Sequence, residues 1–208
     1  MVITVNILLL GGFTMSNFKD AGYIKVEGLV DAQTVKTISQ YFENKINRGE
    51  WVGQCEIAAS AASKLGYYSD PLIEVMLKEC LPTIEEKTNL NLYPTYSYSR
   101  VYQENEQLLP HTDRSSCEVS VTVNVAKKGD KWPIWMQYNN NEPARFDLEA
   151  GDAVIYKGCE VTHWRRPLAQ NNLNVQFMLH YVDKNGPYAE YKFDKRETLG
   201  LDALADRS

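Results

Sequence analysis

The sequence contains few cysteines and histidines, and its basic residues do not outnumber the acidic ones. Four cysteines occur in 208 residues, and none of them forms a Cys-x-x-Cys pair. We therefore expect reduced, structural thiols in a cytoplasmic protein, and the spacing disfavours a cysteine-based zinc site. The net charge of −5 argues against broad nucleic-acid binding, because phosphate groups are neutralised by Lys and Arg.

Long hydrophobic runs, repeats and Gly- or Ser-rich linkers are also missing. Residues 2–10 are largely apolar, but this stretch is much shorter than the ~20 residues of a membrane span, and no basic region precedes it as in a secretory signal. We predict no membrane partner, a single domain over residues 18–194 and a tail over residues 195–208. Residues 1–17 are interpreted as an extension, either upstream of a start at Met15 or as an extra edge strand.

The apolar periodicity changes from helical to strand-like near residue 93. Asp31 and Asp70 each precede a helical stripe and are suited to cap a helix, and Pro82 is expected to kink or split the second helix. Many short segments separated by turn residues favour a mainly β fold with packed helices (α+β) and a jelly-roll core. The predicted strands cover residues 23–27, 95–102, 118–125, 134–138, 144–148, 153–156, 161–165 and 174–182.

One of these segments, residues 118–125, alternates strictly between polar residues and valine. The valine face must pack against apolar residues, and the two predicted helices are plausible partners. The opposite face carries Ser120, Thr122 and Asn124. It meets either solvent or, inside a jelly roll, a wet cavity.

The main candidates for chemistry are the three histidines and an acidic residue beside one of them. His111 and Asp113 are two residues apart, so in an extended segment both side chains point to the same side. Enough short strands follow to return the chain to that place at His163. Two histidines and one carboxylate form the facial triad of non-haem Fe(II) oxygenases, although an isolated His-x-Asp pair also fits a zinc site or a hydrogen-bonded histidine. His180 is interpreted as structural.

Two stretches around these residues resemble the metal-binding segments of the 2-oxoglutarate/Fe(II)-dependent oxygenases, on the prolyl-4-hydroxylase-like branch. The first consists of residues 94–102 and the motif His111-Thr112-Asp113-Arg114, and the second runs from residues 150–156 to His163-Trp164-Arg165. The resemblance extends over residues 18–188. It implies a double-stranded β-helix, which is a jelly roll, and it agrees with the strand count obtained from the residues themselves.

The resemblance implies that His111, Asp113 and His163 are the metal ligands and the catalytic residues. The implied cofactors are Fe(II), 2-oxoglutarate and O2. In this family dioxygen converts 2-oxoglutarate into succinate and CO2 while a substrate is oxidised, usually by hydroxylation. An amino acid, a peptidyl residue or another small molecule all remain open as the substrate.

The anchor for 2-oxoglutarate departs from the family pattern. The family usually places a Lys or Arg about ten residues after the last ligand, where it binds the distal carboxylate through a charge-assisted contact. Leu173 and Asn174 occupy that place here. Arg165 becomes the first candidate because it shares the face of His163 if the strand continues, and Arg166 is the second. A surface arginine remains the alternative for both.

Four further residues are assigned by their place in the resemblance. Tyr102 lies where relatives use a tyrosine near 2-oxoglutarate, and Asn124 could face the same cavity, although both also suit an ordinary strand. Arg114 and Trp164 are expected on the substrate side together with Arg100, and Arg114 is suited to a carboxylate. A solvated arginine is the alternative.

A different function on the same barrel also stays open. A cupin-like zinc or manganese protein could use the same three ligands as an enzyme or binding module without 2-oxoglutarate. The feature that separates the two hypotheses is a cation placed to hold the distal carboxylate of 2-oxoglutarate. A degenerate structural domain is a third possibility, which the intact triad disfavours.

Overall fold

The computed structural model describes residues 18–50 and 65–201. The predicted extension over residues 1–17, Cys55 and the end of the predicted tail lie outside the described residues. Within the described ranges no helix has the length and apolar composition to cross a membrane. The described α-helices are α1 (Phe18–Ala21), α2 (Ala32–Asn47), α3 (Pro71–Glu79) and α4 (Leu81–Thr88), and short 3-10 helices cover Ser115–Cys117 and Ala189–Lys195.

Strands make up most of the regular structure, so the predicted mainly β class with packed helices is confirmed. All eight predicted segments are strands, with ends that differ by a few residues, and two short strands were not predicted. The described strands are β1 (Tyr23–Val26), β2 (Gly66–Tyr68), β3 (Leu92–Gln103), β4 (Leu108–His111), β5 (Val119–Lys128), β6 (Ile134–Gln137), β7 (Ala144–Phe146), β8 (Ala153–Lys157), β9 (Thr162–Arg165) and β10 (Leu173–Asp183).

The strands form two antiparallel sheets. The larger has the order β1-β8-β5-β10-β3-β2, and the smaller has the order β4-β9-β6-β7. The pairs β3–β10, β4–β9, β5–β8 and β6–β7 are nested in sequence. The chain from β3 to β10 therefore folds back on itself like one long hairpin, and this pairing brings β4 beside β9.

The helices cover the outer face of the larger sheet. Asp31 caps α2 by accepting from Gln33 N at 2.9 Å, and Asp70 caps α3. Asp70 also pairs with Lys45 of α2, with 2.5 Å between Oδ2 and Nζ, which ties the two helices together. Helix α3 ends at Glu79 and α4 begins at Leu81, so the predicted split near Pro82 is confirmed.

The two faces of β5 meet different surroundings. Its valines belong to the same buried cluster as Ile38 and Phe42 of α2, which confirms the predicted packing against the helices. Ser120, Thr122 and Asn124 are 0%, 3% and 2% exposed. The polar face of β5 therefore points into the interior between the two sheets. Of the two surroundings considered for this face, solvent is ruled out.

Candidate active site

His111, Asp113 and His163 converge between β4 and β9. The two histidines are direct partners in the register of these strands, and Asp113 follows β4 by two residues. Asp113 Oδ1 lies 3.6 Å from His111 Nε2 and 3.5 Å from His163 Nε2. Two ligand atoms at right angles around one ion are roughly 3 Å apart. Small side-chain rotations would therefore let the three groups bind one metal ion, and the donor set fits ferrous iron.

A backbone carbonyl orients each histidine ring. His111 Nδ1 lies 2.8 Å from Leu109 O, and His163 Nδ1 lies 3.1 Å from Val161 O. Because a carbonyl only accepts, both contacts favour the tautomer with hydrogen on Nδ1, which leaves a lone pair on the Nε2 that faces Asp113. Burial also lowers the pKa of His163, so its ring is neutral, as metal ligation requires.

The second carboxylate oxygen of Asp113 is held by a chain of hydrogen bonds. Ser120 Oγ donates to Asp113 Oδ2 at 2.7 Å and lies 3.0 Å from His180 Nδ1. Since a carboxylate only accepts, the hydroxyl hydrogen points to Asp113, and His180 Nδ1–H donates to Ser120. Burial lowers the pKa of His180 to about 4, which keeps the ring neutral. The chain therefore fixes the direction of the Asp113 carboxylate.

A second group of ligand atoms lies on the other side of the same carboxylate. Asp113, Cys117 and His180 also bring one donor atom each within 4.8 Å of the others. Cys117 Sγ, however, is in hydrogen-bond contact with Tyr96 OH at 3.1 Å, and burial raises the pKa of its thiol well above the ordinary value. A protonated thiol is a poor metal ligand, so the group with His111 and His163 is the better metal site.

Gly158 allows the backbone to approach the triad closely. A β-carbon at this position would lie 2.0 Å from Cys117 O and 2.7 Å from both Asp113 Oδ2 and Ser120 Oγ. Gly158 O also accepts a hydrogen bond from Asp113 N at 2.8 Å. A side chain at residue 158 would therefore displace the carboxylate or the loop that carries it.

A cavity of about 320 Å³ opens beside the triad, which is at the small end of the range for ligand sites. Tyr96, Tyr98, Arg100 and Tyr102 line it from alternate positions of β3. Arg100 is 2% exposed, and its guanidinium carbon lies 4.1 Å from the ring centroid of Tyr102. Arg100, which the sequence places on the substrate side, therefore lies in the wall of the cavity.

Arg165 supplies a buried positive charge to this cavity. It is 3% exposed, its Nη2 donates to Gln176 Oε1 at 2.9 Å and its Nη1 donates to Trp132 O. Its Nε has no hydrogen-bond partner, and no carboxylate of the described ranges forms an ion pair with it. Burial lowers its pKa to about 10. A buried guanidinium with a spare donor is complementary to an anionic ligand.

The other predicted cofactor residues divide between the cavity and its surroundings. Tyr102 lines the cavity and is 2% exposed. Asn124 is buried and does not line the cavity, and its Oδ1 accepts from Asn174 Nδ2 at 2.9 Å. Arg166 is exposed, with its guanidinium carbon 5.1 Å from the ring centroid of Trp135. Asn124 and Arg166 are therefore not brought to the cavity, which leaves Arg165 and Tyr102 as the cofactor-side candidates.

The two predicted substrate residues also differ in place. Trp164 stands between His163 and Arg165 in β9, so its side chain points to the opposite face, where it stacks on Trp135 with ring centroids 6.4 Å apart. It does not line the cavity. Arg114 does line it, but its guanidinium forms an ion pair with Asp194.

Sequence reasoning missed the parts of the site that depend on distant contacts. Ser120 was recognised only as one of several polar residues of β5, and the alternation of that strand was the signal for its inward direction. The predicted strand over residues 174–182 contains His180, which lies in β10, but its link to Asp113 through Ser120 has no signal in the sequence. No signal in the sequence indicated that Asp194 contacts the site either.

Comparison with known proteins supports the fold. No protein-family model matches the sequence, and no curated protein sequence matches it. The chain is similar to a prolyl-4-hydroxylase from Pseudomonas putida, with 14% identity, a TM-score of 0.63, and coverage of 78% of this chain and 92% of that chain. It is also similar to a prolyl hydroxylase from Trichoplax adhaerens in complex with a peptide fragment of hypoxia inducible factor, with 13% identity, a TM-score of 0.64, and coverage of 80% and 86%.

A third similar structure comes from nogalamycin biosynthesis. The epimerase SnoN, in complex with Fe3+, alpha ketoglutarate and nogalamycin RO, has 12% identity, a TM-score of 0.63, and coverage of 89% of this chain and 90% of that chain. Identities this low establish the fold and not the activity. The chain therefore has the fold of the 2-oxoglutarate/Fe(II) oxygenases, the prolyl-4-hydroxylases among them.

Proposed function

We propose that this protein is a 2-oxoglutarate- and Fe(II)-dependent oxygenase that hydroxylates an amino acid, a peptidyl residue or another small molecule. The observation that carries the proposal is the combination of two features in one cavity. His111, Asp113 and His163 converge on one point, and Arg165 presents a buried positive charge to the same space. A metal-binding module without 2-oxoglutarate has no need for that charge.

The strand pairing supports a double-stranded β-helix as the scaffold of this function. Four nested antiparallel pairs distributed over two sheets are the pattern of a jelly roll, and β3 to β10 supply its eight strands. In this arrangement the metal ligands lie on β4, after it, and on β9. The β3 side chains that line the cavity approach them from the larger sheet.

The residues of the triad would hold the metal ion through three neighbouring positions. His111 and His163 present Nε2, because their Nδ1 atoms face backbone carbonyls, and Asp113 presents Oδ1, because Ser120 holds Oδ2. A metal ion held by three protein ligands would keep further positions for other ligands. Hydrogen bonds behind the ligands fix their orientation, which raises metal affinity.

Arg165 would bind the distal carboxylate of 2-oxoglutarate in place of the missing cation at residue 173. Arg165 lines the cavity, its Nε has no hydrogen-bond partner, and Gln176 and the carbonyl of Trp132 hold its Nη atoms in position. Bound Fe(II) and 2-oxoglutarate supply the oxidative chemistry, in which O2 is consumed, succinate and CO2 are released and the substrate is hydroxylated. The tyrosines of the cavity wall would exclude bulk water from the reacting groups.

Succinate formation tests the proposal. The purified chain is loaded with Fe(II) without oxygen, 2-oxoglutarate and O2 are added, and succinate is measured with and without candidate substrates. We expect Fe(II)-dependent succinate that His111→Ala and Asp113→Ala reduce to background while circular dichroism shows an intact fold. The exposed variant Glu142→Ala serves as the control and should retain activity. Retained turnover in the His111 or Asp113 variant would exclude that residue as an essential ligand.

A further inference from the structure

Asp194, near the end of the described chain, is bound by three side chains of the domain. Arg114 donates to both of its carboxylate oxygens, Nη1 to Oδ1 and Nη2 to Oδ2, each at 2.8 Å. Ser116 Oγ donates to Oδ1 at 2.6 Å, and Tyr68 OH donates to Oδ2 at 2.6 Å. A parallel fork of this kind, supplemented by two hydroxyl groups, is the geometry of a carboxylate-binding site.

Two of the three donor residues belong to the wall of the active-site cavity. Arg114 directly follows the proposed ligand Asp113, and both Arg114 and Tyr68 line the cavity. The guanidinium carbon of Arg114 lies 4.6 Å from the ring centroid of Tyr96, and its Nη1 also donates to Ser116 Oγ at 2.8 Å. Contacts among the donors thus hold the site in shape, which favours binding of a carboxylate at low entropic cost.

The segment that delivers Asp194 is held mainly by polar contacts. None of the residues Ala189–Lys195 is buried. Arg196 fastens the end of the segment by donating to Thr95 O at 2.9 Å, so the first residues of the predicted tail contact the domain. Segments with few buried apolar contacts open at a small fraction of the free energy of global unfolding.

The backbone around Asp194 is strained as well. Phe193, Asp194 and Lys195 have φ angles of 54°, 55° and 62°, so three consecutive residues with β-carbons adopt the left-handed conformation. Each of them carries a steric cost that an extended or right-handed backbone would not have. The contacts of the Asp194 carboxylate offset this cost, and losing them would remove the reason for the conformation.

We propose that Arg114, Ser116 and Tyr68 form a binding site for a carboxylate group of the substrate, and that Asp194 occupies this site as a tethered ligand which the substrate displaces. The substrate class is then a small molecule or peptide that carries a free carboxylate, oriented by Arg114 towards the triad. The catalytic meaning of this site rests on the proposed oxygenase function. The exchange of one carboxylate for another does not, because it involves neither metal nor 2-oxoglutarate.

The first test measures binding of acetate to the full-length protein in EDTA, with acetamide as the uncharged match. Calorimetry should show that Asp194→Ala binds acetate at least tenfold more tightly than the wild type and does not bind acetamide. The double variant Asp194→Ala, Arg114→Met should lose this binding. Equal acetate affinity in wild type and Asp194→Ala, or binding that survives Arg114→Met, would overturn the proposal. Asp194→Gly, which suits the left-handed backbone at this residue and also empties the site, replaces Asp194→Ala if the latter does not fold.

The second test measures displacement in the wild type. Trypsin can cleave after Lys192 and Lys195, which are both exposed. Acetate at high concentration should accelerate this cleavage several-fold relative to chloride of the same ionic strength, whereas Arg114→Met should be cleaved rapidly in both salts. An unchanged rate in the wild type would show that Asp194 is a permanent structural contact. Both tests omit iron, so their failure is distinguishable from failure of the oxygenase proposal.

Discussion

Arg165 and Arg166 are adjacent in the chain but lie in opposite environments. Arg165 is 3% exposed and points into the cavity beside the triad, whereas Arg166 is exposed and lies over the ring of Trp135. This pair provides a matched comparison, because the same substitution can be made at both residues. Only one of them is placed to bind a ligand in the active site.

Arg165→Met should raise the 2-oxoglutarate concentration needed for half-maximal succinate formation by about 10- to 100-fold, since a charge-assisted hydrogen bond contributes roughly 1.5–3 kcal/mol. The substitution also removes the hydrogen bonds to Gln176 and to Trp132 O, so the ligand-free protein should lose some thermal stability, which is measured separately. Arg166→Met should leave the requirement unchanged. An unchanged requirement in Arg165→Met would assign the distal carboxylate to another residue.

Ser120→Ala should lower Fe(II) affinity by roughly 10- to 100-fold, the usual effect of removing a hydrogen bond behind a metal ligand. The substitution frees Asp113 Oδ2 and leaves His180 Nδ1 without its acceptor. Fe(II) binding is measured by anaerobic titration, and thermal denaturation in EDTA separates the effect on the metal from any effect on folding. If Ser120→Ala binds Fe(II) with wild-type affinity, the orientation of Asp113 does not depend on its hydrogen bond to Ser120.

Gly158→Ala should destabilise the protein and abolish metal binding, because the new β-carbon would meet the fixed carbonyl of Cys117 and the carboxylate of Asp113. Gly186→Ala is the matched control. At Gly186 the closest atoms to a β-carbon lie at 3.0 Å and belong to side chains, so a small adjustment accommodates it. Thermal denaturation and Fe(II) titration of both variants check this prediction. Equal thermal stability and Fe(II) affinity in Gly158→Ala and Gly186→Ala would contradict the close backbone approach assigned to Gly158.

The sequence predicted those features that depend on local periodicity. The inward direction of Arg165 follows from its spacing to His163, and the same alternation places Trp164 on the outer face, although we expected it near the substrate. The valine pattern of β5 predicted its packing against the helices. Strand β4 was missed because it is short, contains Pro110 and lies at the edge of its sheet, where proline is tolerated.

Contacts between distant parts of the chain could not be predicted. Asp194 is bound by Tyr68 and Arg114, which are far away in sequence, and nothing in its neighbourhood indicates a ligand for an arginine. Asn124 shares the face of Ser120, but its pairing with Asn174 becomes visible only once β10 lies beside β5. In both cases the partner is set by the tertiary arrangement of the chain, which periodicity alone does not reveal.

Anaerobic titration of the Fe(II)-loaded protein with 2-oxoglutarate is the most direct test of the central claim. When 2-oxoglutarate chelates ferrous iron held by His111, Asp113 and His163, a metal-to-ligand charge-transfer band should appear in the visible spectrum. Asp113→Ala should lack the band, and Arg165→Met should require more 2-oxoglutarate to reach it. Protein that binds Fe(II) stoichiometrically but develops no band at saturating 2-oxoglutarate would contradict the account and favour a metal-binding protein of another kind.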